Sequence, residues 1–470
     1  MAKTATKQVT LELAENIANT KYEKLPDNVV NITKKSILDV LGTTLAGGAL
    51  GEGCKEIVDL ATEWNGNEEA TILGYGHKVP CLMAAFANGV MSHAVDYDDI
   101  VDEAWAHPTI TTVPAALAIA ERRGNVSGKE FITAITMGND LIVRLGLSIT
   151  QRPSGWSSSW LVTTLMGVFS ACASVGKLLG LSGEQIADAL GIVLNQAGGA
   201  REMARASGTM IRGHYAGGVA MAGMMAAMMA NKGITGPRSA FEGVSGLYNA
   251  YFGGEYDINS LTDGLGSEFR GDMVGFKPWP SCRISHAHID AALSVVREHD
   301  IRPEQVDNVV LGVGDQAQDL CVPPEVRRRP TTTMEAKFSV PYTVAAAILH
   351  RDVTLNLFSP QAIREPAILE LTDKITHRYE PSFGNTSSVT ASTAQVEIGT
   401  HSGATYSKKA VKPYGHPENP ISASDLTKKF RDCASYSVKP IDSGKIDEVI
   451  ALVTNLEEVD DVGILARLLG

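Results

Sequence analysis

The feature that most constrains the fold is a helical periodicity that runs through the first half of the chain. From residue 9 to about residue 253, apolar residues recur at three- and four-residue spacing in segments interrupted by glycine, proline or asparagine. The clearest segments cover residues 29–46, 83–95, 113–122, 130–147 and 163–179. Ser182 and Gln185 form a capping-box pattern, which predicts that another helix begins there. We therefore expect a large all-helical domain over residues 1–268.

The pattern changes after residue 257, where short β-branched runs replace much of the helical spacing. The predicted strands cover residues 306–313, 388–399 and 404–411, and the predicted helices cover residues 286–298 and 336–349. The last two strands have the pattern of a hairpin. We therefore expect a mainly α protein with a smaller α+β lid domain over residues 269–412, followed by C-terminal helices over 413–470 that return to the helical domain.

Length and composition agree with two globular domains and exclude several classes of function. A chain of 470 residues exceeds the roughly 250–300 residues that one hydrophobic core serves. Its formal net charge of −12 argues against nucleic-acid binding, which requires clustered lysine and arginine. The most apolar stretch, residues 216–230, is shorter than the roughly 20 residues that span a bilayer. Six cysteines without a C-x-x-C pair indicate neither a zinc site nor a disulfide framework, so we expect a reduced, cytoplasmic protein.

Two histidines and five carboxylates lie between His93 and His107, a density of acid–base groups that a helical segment does not need. Histidine titrates near neutrality, and a neighbouring carboxylate fixes its tautomer and raises its basicity. The residues alone leave two interpretations open. The acidic groups either solvate the ends of helices or belong to a centre for proton transfer.

A second cluster of polar groups lies near the predicted domain junction. Lys277, Arg283 and His286 occur in a segment that Pro278 and Pro280 stiffen, so the two cations are candidates for a clamp on carboxylates. A rigid linker with solvated charges is the alternative. Arg212 and His214 precede the small-residue helix, where a helix N-terminus also favours anions.

The motifs of several cofactor-dependent classes are missing. The pair Gly312 and Gly314 lacks the third glycine of a dinucleotide fingerprint, and no glycine-rich loop ends in Gly-Lys-Ser/Thr. No Gly-x-Ser-x-Gly motif of a serine hydrolase occurs. No nucleotide cofactor is therefore indicated. We also expect no metal, because His286 and His288 have no nearby cysteine apart from Cys282.

Taken in order, the polar blocks resemble the MmgE/PrpD family, which includes 2-methylcitrate dehydratases, cis-aconitate decarboxylases and iminodisuccinate epimerases. The resemblance covers nearly the whole chain. It rests on residues 87–90 with 93–99, 107–109 with 114–118, 277–282, 286 with 290–292, and 337–342. It implies a helical domain with an α+β lid, a homodimer, and a cofactor-independent reaction on a small polycarboxylate.

The resemblance and the residue chemistry together predict the members of the site. The predicted catalytic residues are Asp96, His107, Lys277 and Tyr342. The predicted substrate-binding residues are Arg212, His214, Arg283, Ser157, Ser158 and His286, and the predicted orienting residues are His93, Asp98 and Asp99. Tyr342 has a competing interpretation as a packed side chain whose hydroxyl is hydrogen-bonded.

Three departures from the family pattern affect the choice of substrate. Residues 155–160 lack the histidine that many relatives carry, Ile211 replaces a lysine, and Ile100 replaces a threonine. We predict a lyase, first of all a hydro-lyase that dehydrates a hydroxylated di- or tricarboxylate such as a 2-methylcitrate-like acid. The alternatives are an epimerase of an iminodisuccinate-like dicarboxylate, a decarboxylase of a cis-aconitate-like acid, and a catalytically idle relative that binds carboxylates.

Overall fold

The computed structural model describes residues 8–152, 159–205, 209–384 and 393–470. Its first half is helical over nearly its whole length, as the periodicity predicts. The helices are α1 (Val9–Asn19), α2 (Asp27–Leu50), α3 (Cys54–Glu63), α4 (Cys81–His93), α5 (Thr109–Arg123), α6 (Gly128–Thr150), α7 (Val162–Leu178), α8 (Gly183–Leu194), α9 (Glu202–Arg205), α10 (Ile211–Asn231), α11 (Leu247–Phe252) and α12 (Ile258–Thr262). The predicted capping box of Ser182 and Gln185 starts α8 and is confirmed.

One element of this half was not predicted. Two antiparallel strands of three residues each, β1 (Ala70–Ile72) and β2 (His77–Val79), form a small hairpin between α3 and α4. Strands this short have too few residues to show a period of two.

Helix α6 is a core helix of this half. Ser127 and Glu130 close a capping box at its start, and α6 packs against α7, which in turn packs against α10. The last contact is close, because a Cβ atom added to Gly223 would lie 2.6 Å from backbone atoms of α7. By length and composition α6 could cross a membrane, but its apolar window is completely buried inside the protein.

The second half contains α13 (His286–Glu298), β3 (Val306–Val313), α14 (Asp315–Asp319), α15 (Pro324–Arg327), α16 (Thr333–Lys337), α17 (Val340–His350), α18 (Pro366–Asp373), β4 (Ile375–Tyr379), β5 (Ala394–Thr400) and β6 (Thr405–Ala410). Its four-stranded sheet has the order β4-β3-β5-β6, with β3 parallel to β4 and antiparallel to β5. The predicted strand at 306–313 and the hairpin of β5 and β6 are confirmed, although residues 388–392 of the predicted strand lie outside the described residues. The mainly α fold class with an α+β part is also confirmed.

Two predictions in this half were incomplete or wrong. Strand β4 was missed. The single helix expected over residues 336–349 is broken, because Ser339 caps a new helix by accepting a hydrogen bond from the backbone of Tyr342, with Pro341 in the first turn.

The C-terminal helices α19 (Ala423–Ser435), α20 (Ser443–Thr454) and α21 (Gly463–Leu469) share the hydrophobic core of the first half. Helix α19 packs against α2, and α21 packs against α5. A separate core fills the α+β part. The segment that links the two places Phe276 in the first core and Trp279 in the second, so Lys277 lies at their junction.

Candidate active site

The candidate site is built around the chain between α4 and α5. His93 is the last residue of α4, and His107 immediately precedes Pro108, the cap of α5. Asp96 lies between them with φ of +51°, a left-handed conformation that few non-glycine residues adopt. Farther along, Ile100 and Gly275 form an antiparallel bridge, which joins this loop to the segment that carries Lys277.

Asp98 holds both histidines through one carboxylate. Its Oδ1 lies 2.8 Å from Nδ1 of His93, and its Oδ2 lies 2.8 Å from Nδ1 of His107. The same Nδ1 of His107 donates to the carbonyl of Asp99 at 2.8 Å. The two rings meet edge to face with centroids 5.0 Å apart.

These contacts assign the tautomers of both imidazoles. An acceptor at each Nδ1 requires the proton there, so Nε2 is the basic nitrogen of His93 and of His107 in their neutral forms. Burial opposes ionisation of Asp98, but the facing histidines outweigh it and hold the pKa of that carboxyl well below its usual range. Asp98 is therefore an anion that lies against both imidazoles.

Asp96 and Lys277 form a buried ion pair beside this group. Nζ of Lys277 donates to Oδ1 of Asp96 at 2.5 Å and to its carbonyl at 3.1 Å. Burial raises the pKa of Asp96, but the charges of Lys277 and His93 more than offset this and lower it to about 2. Oδ2 of Asp96 is buried without a hydrogen-bond partner among the described residues.

Asp99 connects the loop to α5. Its carboxyl group accepts hydrogen bonds from the backbone and the hydroxyl of Thr109, and that hydroxyl also accepts from Asn139. Burial raises the pKa of Asp99 to about 7. These contacts hold the start of α5 against the loop, and the orienting role of Asp99 stays a prediction.

Helix α10 contributes polar residues from the other side. Burial lowers the pKa of Arg212, and the negative charge of Asp96 partly opposes this shift. The guanidinium carbon of Arg212 lies 3.4 Å from the ring centroid of Phe338. Nε2 of His214 donates to the carbonyl of Glu52, which leaves Nδ1 as its basic nitrogen. Tyr215 was not predicted, yet its ring lies 4.6 Å from that of His93.

Arg283 and His286, both predicted to bind substrate, are buried in the linking segment. Arg283 pairs with Asp102 through Nε and Nη2, whereas Nη1 has no partner among the described residues. Nε2 of His286 lies 3.2 Å from the carbonyl of Ser281. Burial and the charges of Arg283 and Lys277 hold the pKa of His286 well below its usual range, so the ring is neutral. Their roles stay predictions.

Tyr342 is placed differently from the other predicted catalytic residues. Its side chain is fully buried in the core of the α+β part, and its hydroxyl donates to the carbonyl of Leu357 at 2.5 Å. Burial raises its pKa. The structure thus gives Tyr342 the contacts of the packing interpretation. Ser157 and Ser158 lie outside the described residues.

Sequence reasoning also passed over two buried lysines. Nζ of Lys337 donates to the carbonyls of Val95 and Pro280, and Nζ of Lys429 donates to those of Tyr97 and Lys277. Lys337 belongs to residues 337–342, one of the blocks that resemble the family, so its sequence context could have indicated it. Lys429 lies in a charged helix and has the sequence context of a solvated residue.

The site also offers ligands of the types that zinc prefers. His93, Asp98 and His107 each present one potential ligand atom, and these atoms lie within 4.8 Å of one another. The expectation of a metal-free site stays a prediction. The hydrogen bonds at both Nδ1 atoms equally suit proton transfer through the two Nε2 atoms.

Comparisons with known proteins match both halves of the chain. A model of the MmgE/PrpD N-terminal domain matches residues 11–259, and a model of the MmgE/PrpD C-terminal domain matches residues 279–455. Cis-aconitate decarboxylase of Mus musculus is 28% identical over 98% of this chain and 93% of its own length. The Homo sapiens enzyme is 28% identical over 98% and 95%, and that of Aspergillus terreus is 24% identical over 98% and 96%.

Proposed function

The chain belongs to the MmgE/PrpD family, and we propose that it is a cofactor-independent lyase that dehydrates a small hydroxylated di- or tricarboxylate, such as a 2-methylcitrate-like acid. One observation carries the proposal. The buried carboxylate of Asp98 lies 2.8 Å from Nδ1 of both imidazoles. Nδ1 of His93 donates to Asp98 and Nδ1 of His107 donates to the carbonyl of Asp99, so Nε2 is the basic nitrogen of each. Dehydration needs a base for the α-proton and an acid for the departing hydroxyl, and two equivalent imidazoles suit that pair of tasks.

The proton transfers follow from these positions. Nε2 of His107 removes the proton α to a carboxylate, and the electron pair moves into the developing aci-carboxylate. The C–O bond then breaks, the double bond forms, and protonated His93 delivers its proton to the leaving hydroxyl, which departs as water. Lys277 and Arg212 stabilise the negative charge that builds on the substrate, because cations in a buried site act strongly on it.

Decarboxylation is the second candidate, and the relatives favour it. Those named above are cis-aconitate decarboxylases that align over almost the whole chain. That reaction breaks a C–C bond, releases carbon dioxide and needs one proton donor for the resulting carbanion. Two departures argue against cis-aconitate as the substrate. The histidine that many relatives carry near Ser157 is missing, and Ile211, which is 54% exposed at the start of α10, replaces a family lysine.

An assay of the unmodified protein on a panel of polycarboxylates separates these reactions. Ultraviolet absorbance follows alkene formation, gas release follows decarboxylation, and deuterium uptake from heavy water follows reversible α-proton removal. Alkene formation from a hydroxy acid without carbon dioxide supports the dehydratase. Carbon dioxide release supports the decarboxylase. Deuterium in recovered substrate without either product indicates an epimerase, and binding without turnover indicates an idle relative.

We also retain the homodimer and the cytoplasmic location as proposals. The family resemblance suggests the dimer, and α10 exposes Ile211 and Met225 by 54% and 43% on the described surface. Light scattering coupled to size exclusion tests the assembly. A monomeric mass at micromolar concentration would reject it.

A further inference from the structure

Lys337 and Lys429 are buried lysines that do not belong to the proton-transfer group. Lys337 ends α16 and is 2% exposed, while Lys429 lies within α19 and is 5% exposed. A buried ammonium costs free energy unless hydrogen bonds or opposite charges compensate it. Their compensation therefore shows what these two residues do.

The ammonium group of Lys337 is surrounded by two carbonyls and a ring. Nζ donates to the carbonyl of Val95 at 2.7 Å and to that of Pro280 at 2.9 Å. It also lies 4.5 Å from the centroid of the Phe358 ring, within the range of a cation–π contact. Two N–H groups of Lys337 therefore join Val95 to Pro280.

The ammonium group of Lys429 also contacts two carbonyls and a ring. Nζ donates to the carbonyl of Tyr97 at 2.6 Å and to that of Lys277 at 2.9 Å. It also lies 2.6 Å from Oδ1 of Asp39 and 3.9 Å from the centroid of the Tyr97 ring. Asp39 lies on α2, so the C-terminal helix and the helical core both reach this point.

The four carbonyls lie in only two segments. Val95 and Tyr97 are the chain neighbours of Asp96, while Lys277 and Pro280 belong to the stiff segment that carries the catalytic ammonium. Each buried lysine therefore joins the same two segments through one carbonyl of each segment. Hydrogen bonds from a charged donor are roughly twice as strong as neutral ones.

We propose that Lys337 and Lys429 are positioning residues that hold Asp96 and Lys277 in their catalytic geometry. This inference rests on the proposed function insofar as it assigns Asp96 and Lys277 to the reacting centre. Neither lysine touches the substrate in this scheme. Both act through backbone carbonyls, so their loss displaces the ion pair and leaves its chemistry intact.

The two lysines differ in charge compensation, and this difference allows a sharp test. Lys429 pairs with the carboxylate of Asp39, whereas Lys337 contacts two carbonyls and a ring. Lys429→Met alone leaves Asp39 buried and uncompensated, which destabilises the protein for a reason unrelated to positioning. The double variant Asp39→Asn/Lys429→Met removes both charges and restores electrostatic balance while the two carbonyls stay without their donor.

The experiment compares Lys337→Met and the double variant with Lys177→Met. Lys177 is the matched control, because its Nζ also joins two backbone carbonyls, those of Ala18 and Thr20, in a different part of the protein. Two readouts are needed. The first is kcat and KM with the panel acid that the unmodified protein converts fastest. The second is amide hydrogen exchange of residues 94–99 and 276–281 by mass spectrometry.

We expect Lys337→Met and the double variant to lower kcat about 10- to 100-fold, the loss that a small misplacement of catalytic groups causes. KM changes less, and both peptides exchange faster. Lys177→Met leaves kcat and these peptides unchanged. Normal kcat and normal exchange in folded Lys337→Met and double variants would overturn the proposal, as would equal losses in the control. If the unmodified protein converts no panel acid while both peptides exchange faster in the variants, positioning stands and the proposed function fails.

Discussion

Two buried ion pairs of this protein share their chemistry but not their surroundings. In the helical core, Nε of Arg144 donates to Asp140 at 2.8 Å, and its other nitrogens donate to the carbonyls of Asp263 and Glu268. The second oxygen of Asp140 accepts from the backbone of Arg270 at 2.6 Å. Every side-chain polar atom of this pair therefore has a hydrogen-bond partner.

The Asp96–Lys277 pair is equally buried, but not all of its polar atoms are hydrogen-bonded. Oδ2 of Asp96 lacks a hydrogen-bond partner among the described residues, and the backbone of Asp96 is held in a left-handed conformation. Buried polar atoms are nearly always hydrogen-bonded, and a strained residue persists only where its surroundings impose it. Burial therefore does not distinguish the two pairs, whereas the remaining acceptor and the left-handed backbone of Asp96 do.

The largest effect on turnover is expected at the histidines beside the Asp96–Lys277 pair. His107→Gln should lower kcat about 10²- to 10⁴-fold, because it removes the proposed base for the α-proton. Steady-state kinetics on the panel acid measures this. His350→Gln is the control, since it disrupts a histidine–carboxylate contact with Glu365 far along the chain. Unchanged turnover in His107→Gln would reject the assignment.

Variants of the Asp140–Arg144 pair should lose stability and keep their turnover. Arg144→Met should lower the free energy of unfolding by about 3–5 kcal/mol, because it leaves Asp140 buried without its cation. The kcat of the remaining folded enzyme should not change. Denaturant titration and active-site-normalised kinetics test the two statements. Asp140→Asn/Arg144→Met should be less destabilised than the single variant, and equal losses would contradict the electrostatic cause.

A smaller effect is expected from Asp96 at low pH. Its pKa is lowered to about 2 in the folded protein, so its ion pair stabilises the fold above the unfolded pKa of about 4. That contribution is lost as the pH falls from about 4 to 2, and it amounts to about 2 kcal/mol. The unfolding free energy of Asp96→Asn should therefore lack this part of the acid transition. Asp300→Asn, which removes an exposed carboxylate paired with Arg351, is the control.

The smallest effect concerns Lys337 above neutral pH. Burial lowers its pKa to about 7, well below its unfolded value, so the unfolded chain binds more protons and this group makes stability rise with pH from about 7. The stability of the unmodified protein relative to Lys337→Met should increase by about 1 kcal/mol between pH 7 and 8. Burial also opposes the charge of Lys277, but the facing carboxylates outweigh it and raise its pKa, so Lys277→Met should show no such slope. Parallel curves for Lys337→Met and the unmodified protein would contradict the prediction.

Local patterns were reliable where short-range contacts decide the structure. The capping box at Ser182 and the helix that begins at His286 depend on residues within one turn, and both were predicted. The break at Ser339 also had a local signal, since a serine followed two residues later by proline is typical of a helix start. Strand β4 had a weak one, because three of the five residues in its Ile-Thr-His-Arg-Tyr sequence favour strands, and its position is decided by pairing with β3.

The candidate site divides in the same way. Residue types and their order predicted Asp96, His107 and Lys277 as members of the site; the structure pairs Asp96 with Lys277 and places His107 against Asp98. They could not reveal that Tyr342 donates to Leu357, because a backbone carbonyl has no sequence signature.

The sequence by itself determined the helical periodicity, the class of chemistry and the family, since these depend on residue identity and on spacing within a few residues. Only the tertiary structure decided that Asp98 holds two histidines and that Lys337 and Lys429 join the segments around Asp96. Lys337 and Val95 are 242 residues apart, and Lys429 and Tyr97 are 332 apart. Contacts over such separations form only when both cores have packed, because packing compensates the chain entropy that they cost.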